Sequence, residues 1–342
     1  MAGSSISQAK LRSAKNAAKA IVKKAVEVEL PEHVVKARQN FAYFCELMGK
    51  KPARHMREWH KVFLTGQSNE HLLDIAGPDT CLLSPRGSAK STVLGLLLGW
   101  LIGRHALSKK LLRILYVSYN VDVARNKSAA IKNLICSKEY QEIFPCVRLS
   151  KMRTSDELWS IDWDFAEIDV RGEDAFTVAC AGLKGTITSK RSSLIVVDDA
   201  IKSTASIANP DIRREMETNW TNVIVPTMFQ GARAIALGTR FHFDDLFATI
   251  FTEKKGWKCI TQSALHYDDD GRPKSYWPEM WSAKYLLKLQ SDDRVAFSYQ
   301  YLNQPVRSRE LGISPELFVK GEVPDTYDTV SYTHLTLPTN CV

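Results

Sequence analysis

Apolar positions fall at helical spacing from Pro31 to about Leu73: Val34, Val35, Phe41, Phe44 and Leu47, then Trp59, Val62 and Phe63. Side chains three and four apart share one helix face, so this spacing predicts helices with a buried stripe. After Gly77-Pro78 the pattern changes to short apolar runs at Thr80–Leu83, Arg113–Ser118, Ala175–Ala179, Ser193–Val197 and Ala232–Leu237. Each has four to six residues, is often β-branched and is bounded by turn or charged residues. That is the signature of strands buried on both faces of a sheet. Helix-period stretches lie between them, at Ser91–Gly103, Asp122–Ile135 and Asp211–Val223. Strands alternating with helices predict an α/β fold with a mostly parallel sheet flanked by helices. Further on, Tyr267–Pro273 reads as a hydrophilic turn, Ser282–Gln290 as a helix, and Pro305–Pro324 as a linker with few core residues. No internal repeat is visible.

The chain has 342 residues, of which 44% are hydrophobic and 25% charged. Those values exclude a disordered, collagen-like or disulfide-scaffold protein. Its seven cysteines are odd in number and scattered, with no Cys-x-x-Cys pair. The plain reading is reduced thiols in a cytoplasmic protein with no zinc site. The start lacks the apolar core of a signal peptide, and Ser91–Gly103 is short of the ~20 residues a membrane span needs, so no membrane partner is expected. The formal net charge is +8, and residues 1–40 alone carry eight bases (Lys10, Arg12, Lys15, Lys19, Lys23, Lys24, Lys36, Arg38) against three acids. A basic arm of this kind suits a phosphate backbone or an acidic partner; a solvated Ala/Lys-rich helix fits equally well.

The most informative stretch is Leu82-Leu83-Ser84-Pro85-Arg86-Gly87-Ser88-Ala89-Lys90-Ser91-Thr92. A buried strand enters a tight loop, and a helix opens with Lys-Ser-Thr. Nucleotide phosphate loops need that context: backbone N–H groups at the helix start hold phosphates, Lys90 reaches the β/γ oxygens, and the Ser91 hydroxyl ligates Mg²⁺. The match to G-x-x-x-x-G-K-[ST] is imperfect, because Ser84 and Ala89 stand where the pattern has glycine. Arg86 adds a second cation.

Leu194-Ile195-Val196-Val197-Asp198-Asp199 is an apolar strand ending in two carboxylates. In a phosphate-loop ATPase such a strand is expected beside the loop strand, with Asp198 supporting Mg²⁺ and Asp199 orienting the attacking water. Glu215 or Glu217 are alternatives to Asp199 from the next helix. A third strand, Ile235–Gly238, ends in Thr239 and Arg240, candidates for sensing the γ-phosphate. Upstream, Gly182–Arg191 is a basic, hydroxyl-rich loop that suits DNA phosphates, a neighbouring subunit's nucleotide or plain flexibility. Arg57-Glu58-Trp59-His60 precedes the loop by about 25 residues and is a weak candidate for packing a base, although Trp59 fits a core position as well.

Taken in order, Ser-Pro-Arg-Gly-x-Ala-Lys-Ser-Thr, Leu-Ile-Val-Val-Asp-Asp and Leu-Gly-Thr-Arg-Phe-His-Phe-Asp-Asp-Leu resemble the large subunit of tailed-bacteriophage terminases. Tyr276-Trp277-Pro278-Glu279 and Phe297–Pro305 look like the segment closing that family's ATPase half. The resemblance runs from about residue 55 to 325. It implies a P-loop NTPase that uses ATP and Mg²⁺ to package double-stranded DNA into procapsids in the host cytoplasm. Implied partners are DNA, a portal protein, a small terminase subunit and further copies in a ring. By motif position it implies nucleotide contacts from Ser84 through Thr92 and from Thr239, catalysis by Arg86, Lys90 and Asp199, and metal support by Ser91 and Asp198.

The family also carries an RNase H-like nuclease domain, whose approach Pro324-Asp325-Thr326-Tyr327-Asp328-Thr329 resembles. Only 13 residues follow, too few for that domain, and they resemble a translated sequencing adapter more than a natural terminus. The expected organisation is a basic helical arm at 1–50, a P-loop ATPase domain at 51–305, a linker at 306–329 and a foreign tail at 330–342. A helicase-like or DNA-repair ATPase, and a nucleotide-binding module without turnover, are the alternatives.

Overall fold

In the computed structural model, which describes residues 30–64, 77–162, 176–185, 187, 190–252 and 256–305, the short apolar runs lie in one sheet. Its strands are β1 (Asp79–Leu83), β2 (Ile114–Ser118), β3 (Leu149–Thr154), β4 (Leu158–Ile161), β5 (Val178–Gly182), β6 (Ser192–Asp198), β7 (Met228–Gly238) and β8 (Trp257–Thr261). Their spatial order is β3-β4-β5-β2-β6-β7-β1-β8. Pairing is parallel from β5 through β8, and β3 and β4 extend one edge antiparallel. Parallel neighbours need crossovers, which here are largely helical. The helices are α1 (Glu32–Gln39), α2 (Phe41–Leu47), α3 (Met56–Phe63), α4 (Lys90–Leu107), α5 (Val121–Ile135), α6 (Lys138–Ile143), α7 (Pro210–Asn219), α8 (Ala283–Asp292) and α9 (Arg294–Tyr301). A hairpin of β9 (Leu265–Tyr267) and β10 (Pro273–Ser275) flanks the expected hydrophilic turn.

Successive strand residues point to opposite faces, so one continuous apolar run feeds two cores. Leu82, Ile114, Tyr116, Leu194, Val196, Ile235 and Leu237 face α4 and α5. Cys81, Leu115, Val117, Ile195, Val197, Ala234 and Ala236 face the other layer, around Trp220 and Phe247. Helix α4 is buried nearly all round, which explains why its sequence is apolar without a clear polar face. A third, smaller core of Ala264, Leu265, Tyr276, Leu286 and Phe297 holds the β9–β10 hairpin to α8 and α9.

The structure departs from the sequence reading in four places. Residues 32–47, assigned to a basic arm, belong to the main core: Phe41 and Phe44 are buried there, and Trp100 donates its indole N–H to the Ala37 carbonyl at 2.9 Å. Residues 1–29, the linker at 306–329 and the tail at 330–342 lie outside the described residues. Second, β5 runs over Val178–Gly182 rather than 175–179. Third, β3, β4 and β8 were not expected; β3 and β8 are exposed edge strands and lack a continuous apolar run. Fourth, β6 does not lie beside β1, because β7 pairs with both. Among the described residues no helix is long and apolar enough to cross a membrane.

Candidate active site

The sheet brings three strand ends to one level. Leu83 of β1 stands opposite Gly238 of β7, and Asp198 of β6 opposite Leu237. The residues that follow, Ser84, Thr239 and Asp199, therefore emerge together at the carboxyl edge, where open α/β sheets bind ligands.

From β1 the chain turns through Ser84–Ala89 into α4. Gly87 (φ 74°) and Ala89 (φ 63°) both adopt left-handed backbone. Glycine does so freely, whereas alanine there costs about 1–2 kcal/mol, so the loop keeps a glycine-like path at a small strain. Ala89 is the N-cap of α4 and offers no side-chain acceptor. Helices α5 to α9 instead have their first N–H groups capped by Asn120, Ser137, Asn209, Ser282 and Asp293. The first turn of α4 also carries no acid. Uncapped N–H groups at the positive end of an 18-residue helix form a ready anion site.

Lys90 is 6% exposed. Its Nζ lies 3.4 Å from Asp199 Oδ1 and donates to Thr239 Oγ1 at 3.3 Å. Ser91 Oγ donates to Asp198 Oδ1 at 3.0 Å, and Tyr116 Oη donates to the other carboxylate oxygen at 2.7 Å. Asp198 is 1% exposed, and burial raises its pKa, helped by the charge of Asp199; the Tyr116 and Ser91 hydrogen bonds pull the other way. Asp199 has φ 47°, a left-handed residue at the strand end, and such strain gathers at functional sites.

The structure thus brings Lys90, Ser91, Asp198, Asp199 and Thr239 together, from three segments more than 100 residues apart at the extremes. Other candidates are placed differently. The Ser84 hydroxyl is buried and donates to Gln262 Oε1 at 3.1 Å, so it fastens the base of the loop. Pro85 is buried beside it, Ser88 is fully buried, and Thr92 is exposed on the next face of α4. The Arg86 backbone N–H is taken by the Gln300 carbonyl at 3.1 Å, and its guanidinium reaches the Lys202 carbonyl (3.4 Å) and the Phe241 ring. Arg240 turns away to the buried Asp245 at 2.9 Å. Glu215 pairs with Lys184 and Glu217 accepts from Thr249, so neither substitutes for Asp199. In the basic loop, Thr186, Thr188 and Ser189 lie outside the described residues.

A cavity of about 320 Å³ opens beside the loop, lined among others by Cys45, Met56, His60, Ala89, Thr92 and Trp277. Trp59 is not part of it but lies fully buried in the core. His60 is pushed down to about 4 by burial, so its ring is neutral at pH 7, and its Nε2 has no partner among the described residues.

The Ser91 and Asp198 oxygens fit Mg²⁺, a hard cation that prefers few protein ligands plus phosphates and water. With Ser91 and Asp198 as its protein ligands, a metal held here would share its shell with substrate oxygens and water.

Sequence reasoning missed Tyr116, Gln262 and His55. A tyrosine inside a predicted buried strand needs a hydroxyl partner, and that was the available signal for Tyr116. His55 gave none: its Nε2 lies 3.4 Å from the Ser88 carbonyl, and its ring packs against Trp59, Tyr276 and Trp277.

No protein-family model matches the chain, and no curated protein does. Among solved structures it is similar in fold to the large terminase of bacteriophage HK97, at 14% identity and a TM-score of 0.45. The similarity covers 80% of this chain and 55% of that one, so the chain spans about half the length of the structure it matches.

Proposed function

We propose that this chain is the ATP-hydrolysing motor part of a phage terminase large subunit, driving double-stranded DNA into a procapsid with a portal protein and small terminase subunit as partners. The observation that carries the reading is the meeting of Lys90, Ser91, Asp198, Asp199 and Thr239 at one sheet edge, below the uncapped start of α4. The order of motifs along the sequence, which resembles that family, supplies the DNA-packaging half of the reading.

In this reading the triphosphate lies along the loop, its β and γ oxygens drawing Lys90 away from Asp199. Mg²⁺ held near Ser91 and Asp198 supplies charge neutralisation for the phosphates. Asp199, freed of its lysine, accepts a hydrogen bond from the attacking water and orients it in line. Thr239 touches Lys90 and reports whether the γ-phosphate is present. The base occupies the cavity by His60, where a neutral imidazole with an open nitrogen can pair with a ring edge. Arg86 stabilises negative charge from the loop's outer side only if it swings from the Lys202 carbonyl, so its role is secondary to Lys90.

Steady-state ATP hydrolysis, with and without linear duplex DNA, tests this. Wild type is expected to hydrolyse ATP in a Mg²⁺-dependent way and to be stimulated by DNA, the stimulation fading with salt as phosphate contacts weaken. Lys90→Ala and Asp199→Ala are each expected to lower kcat by about 10²-fold or more. Hydrolysis that survives both changes removes the site assignment. ATP binding without turnover, even in the presence of DNA, favours an inert nucleotide-binding module.

A further inference from the structure

The residues after β8 return to the phosphate loop and make a closed circuit of hydrogen bonds with it. Gln262 donates its backbone N–H to the Leu83 carbonyl at 2.8 Å and accepts the Ser84 hydroxyl at 3.1 Å. The Gln262 carbonyl accepts from Asn303 Nδ2 at 2.9 Å. Asn303 Oδ1 accepts the backbone N–H of Arg240 at 3.1 Å. Arg240 follows Thr239, whose hydroxyl donates to the Ser84 carbonyl at 3.3 Å and accepts from Lys90. The circuit therefore runs from Ser84 through Gln262, Asn303 and the Thr239–Arg240 turn back to Ser84. Lys90 hangs from it at Thr239.

Asn303 is the corner of this circuit and the one member with no chain connection to a sheet strand. It is 4% exposed and has φ 56°, just past α9. Asparagine is among the few residues with a side chain that tolerate this backbone region. It also offers, three bonds from Cα, a carbonyl acceptor and an amide donor, and both are used. Aspartate keeps the acceptor and loses the donor; glycine keeps the backbone freedom and loses both.

We propose that Asn303 is a positioning residue for the γ-phosphate-sensing turn. Through the Arg240 N–H it fixes the height of Thr239 above the loop, and thereby the point from which Lys90 addresses the phosphates. Its side chain reaches the Gln262 carbonyl and the Arg240 N–H rather than Lys90, Ser91, Asp198 or Asp199. The proposal rests on the ATP-hydrolysis reading above and goes beyond it in naming what holds the sensor.

The test compares wild type, Asn303→Gly and Asn303→Asp in the full chain. Four quantities are read: ATP hydrolysis, affinity for a fluorescent ATP analogue, melting temperature and amide exchange at Arg240. Asn303→Gly is expected to keep analogue affinity within about threefold while kcat falls at least about tenfold, with a melting temperature still well above the assay temperature, so that loss of folded protein does not account for the lost rate. Amide exchange in the peptide covering Arg240 rises, while β1 and β6 stay protected. Asn303→Asp retains the acceptor for the Arg240 N–H but sets a carboxylate oxygen against the Gln262 carbonyl, so its Arg240 exchange stays nearer wild type than the glycine variant's while its melting temperature falls. A glycine variant with wild-type kcat and unchanged exchange overturns the proposal, as does a fall in affinity and melting temperature that accounts for the lost rate. If wild type itself neither binds nor hydrolyses ATP, the functional reading falls and the proposal with it; an active wild type with an indifferent glycine variant removes the proposal alone.

Discussion

Asp198 shows how much one buried side chain is asked to do. Its carboxylate sits in the protein with two hydroxyl donors and a second acid next door, and the balance raises its pKa, burial being the largest cause. The folded chain therefore holds this proton to higher pH than the unfolded chain does. By linkage, the stability this group contributes is complete below the ordinary carboxylate pKa and is lost as pH rises through the folded value. Asp198→Asn removes that loss, and both hydroxyls still find a partner on the amide. The variant is expected to show a flatter melting temperature from about pH 4 upward than wild type, without nucleotide, and no Mg²⁺-dependent hydrolysis. A parallel pH dependence in the two proteins would assign the effect elsewhere. In the proposed reading His60 acts differently, by contact with the base alone. His60→Ala is expected to raise KM for ATP several-fold, about 1 kcal/mol of uniform binding, with kcat unchanged, as initial-rate kinetics will show.

At the scale of elements, the site depends on how closely helices approach the sheet. Helix α4 carries Gly99 against Leu134 of α5 and Tyr140 of α6, and Gly103 against Phe144 just after α6. A Cβ at Gly103 would stand 2.5 Å from the ring of Phe144, which is fully buried and cannot retreat. Gly103→Val is therefore expected to destabilise the fold by roughly 2 kcal/mol through overpacking, measured by denaturant unfolding. Helix α3 is fixed from the far side by Arg233 of β7, whose buried guanidinium donates to the Val62 and Phe63 carbonyls and to Thr80. That contact sets where His55 and His60 stand relative to the loop. The sequence showed a helix at each of these places, but a cation in an apolar strand gave no sign that it would cap a helix 170 residues away.

For the molecule as a whole, the site is a seam between the parallel sheet, the N-terminal helices and the C-terminal segment. His55 bridges α3, the loop and Trp277; Gln300 and Asn303 bridge the loop and the β7 turn. A ligand bound at such a seam stabilises the entire fold by mass action. At a hundredfold excess over Kd this amounts to ~2.7 kcal/mol, or about 4 °C in melting temperature for a chain of this size. Thermal melts with Mg²⁺ and a non-hydrolysable ATP analogue are expected to show a single transition displaced upward by that amount, and Lys90→Ala is expected to abolish the displacement. A displacement confined to one of two separate transitions would mean that the seam does not couple these parts.

The sequence by itself determined the class of fold and singled out the residues that meet at the strand ends. Short β-branched runs alternating with helical spacing bury their apolar surface as a covered parallel sheet; Asp198, Asp199 and Thr239 stand where those runs stop, and Lys90 stands one loop beyond. Tertiary structure alone decided the order of the strands. Hydrophobic pattern says which residues are buried but nothing about which strand lies beside which, so the insertion of β7 between β1 and β6 was invisible. The exposed strands β3 and β8 were invisible too, since an edge strand with one partner needs no continuous apolar run. Long-range polar contacts, Tyr116 to Asp198 and Asn303 to Arg240, arise only once the backbone has brought them within hydrogen-bond reach.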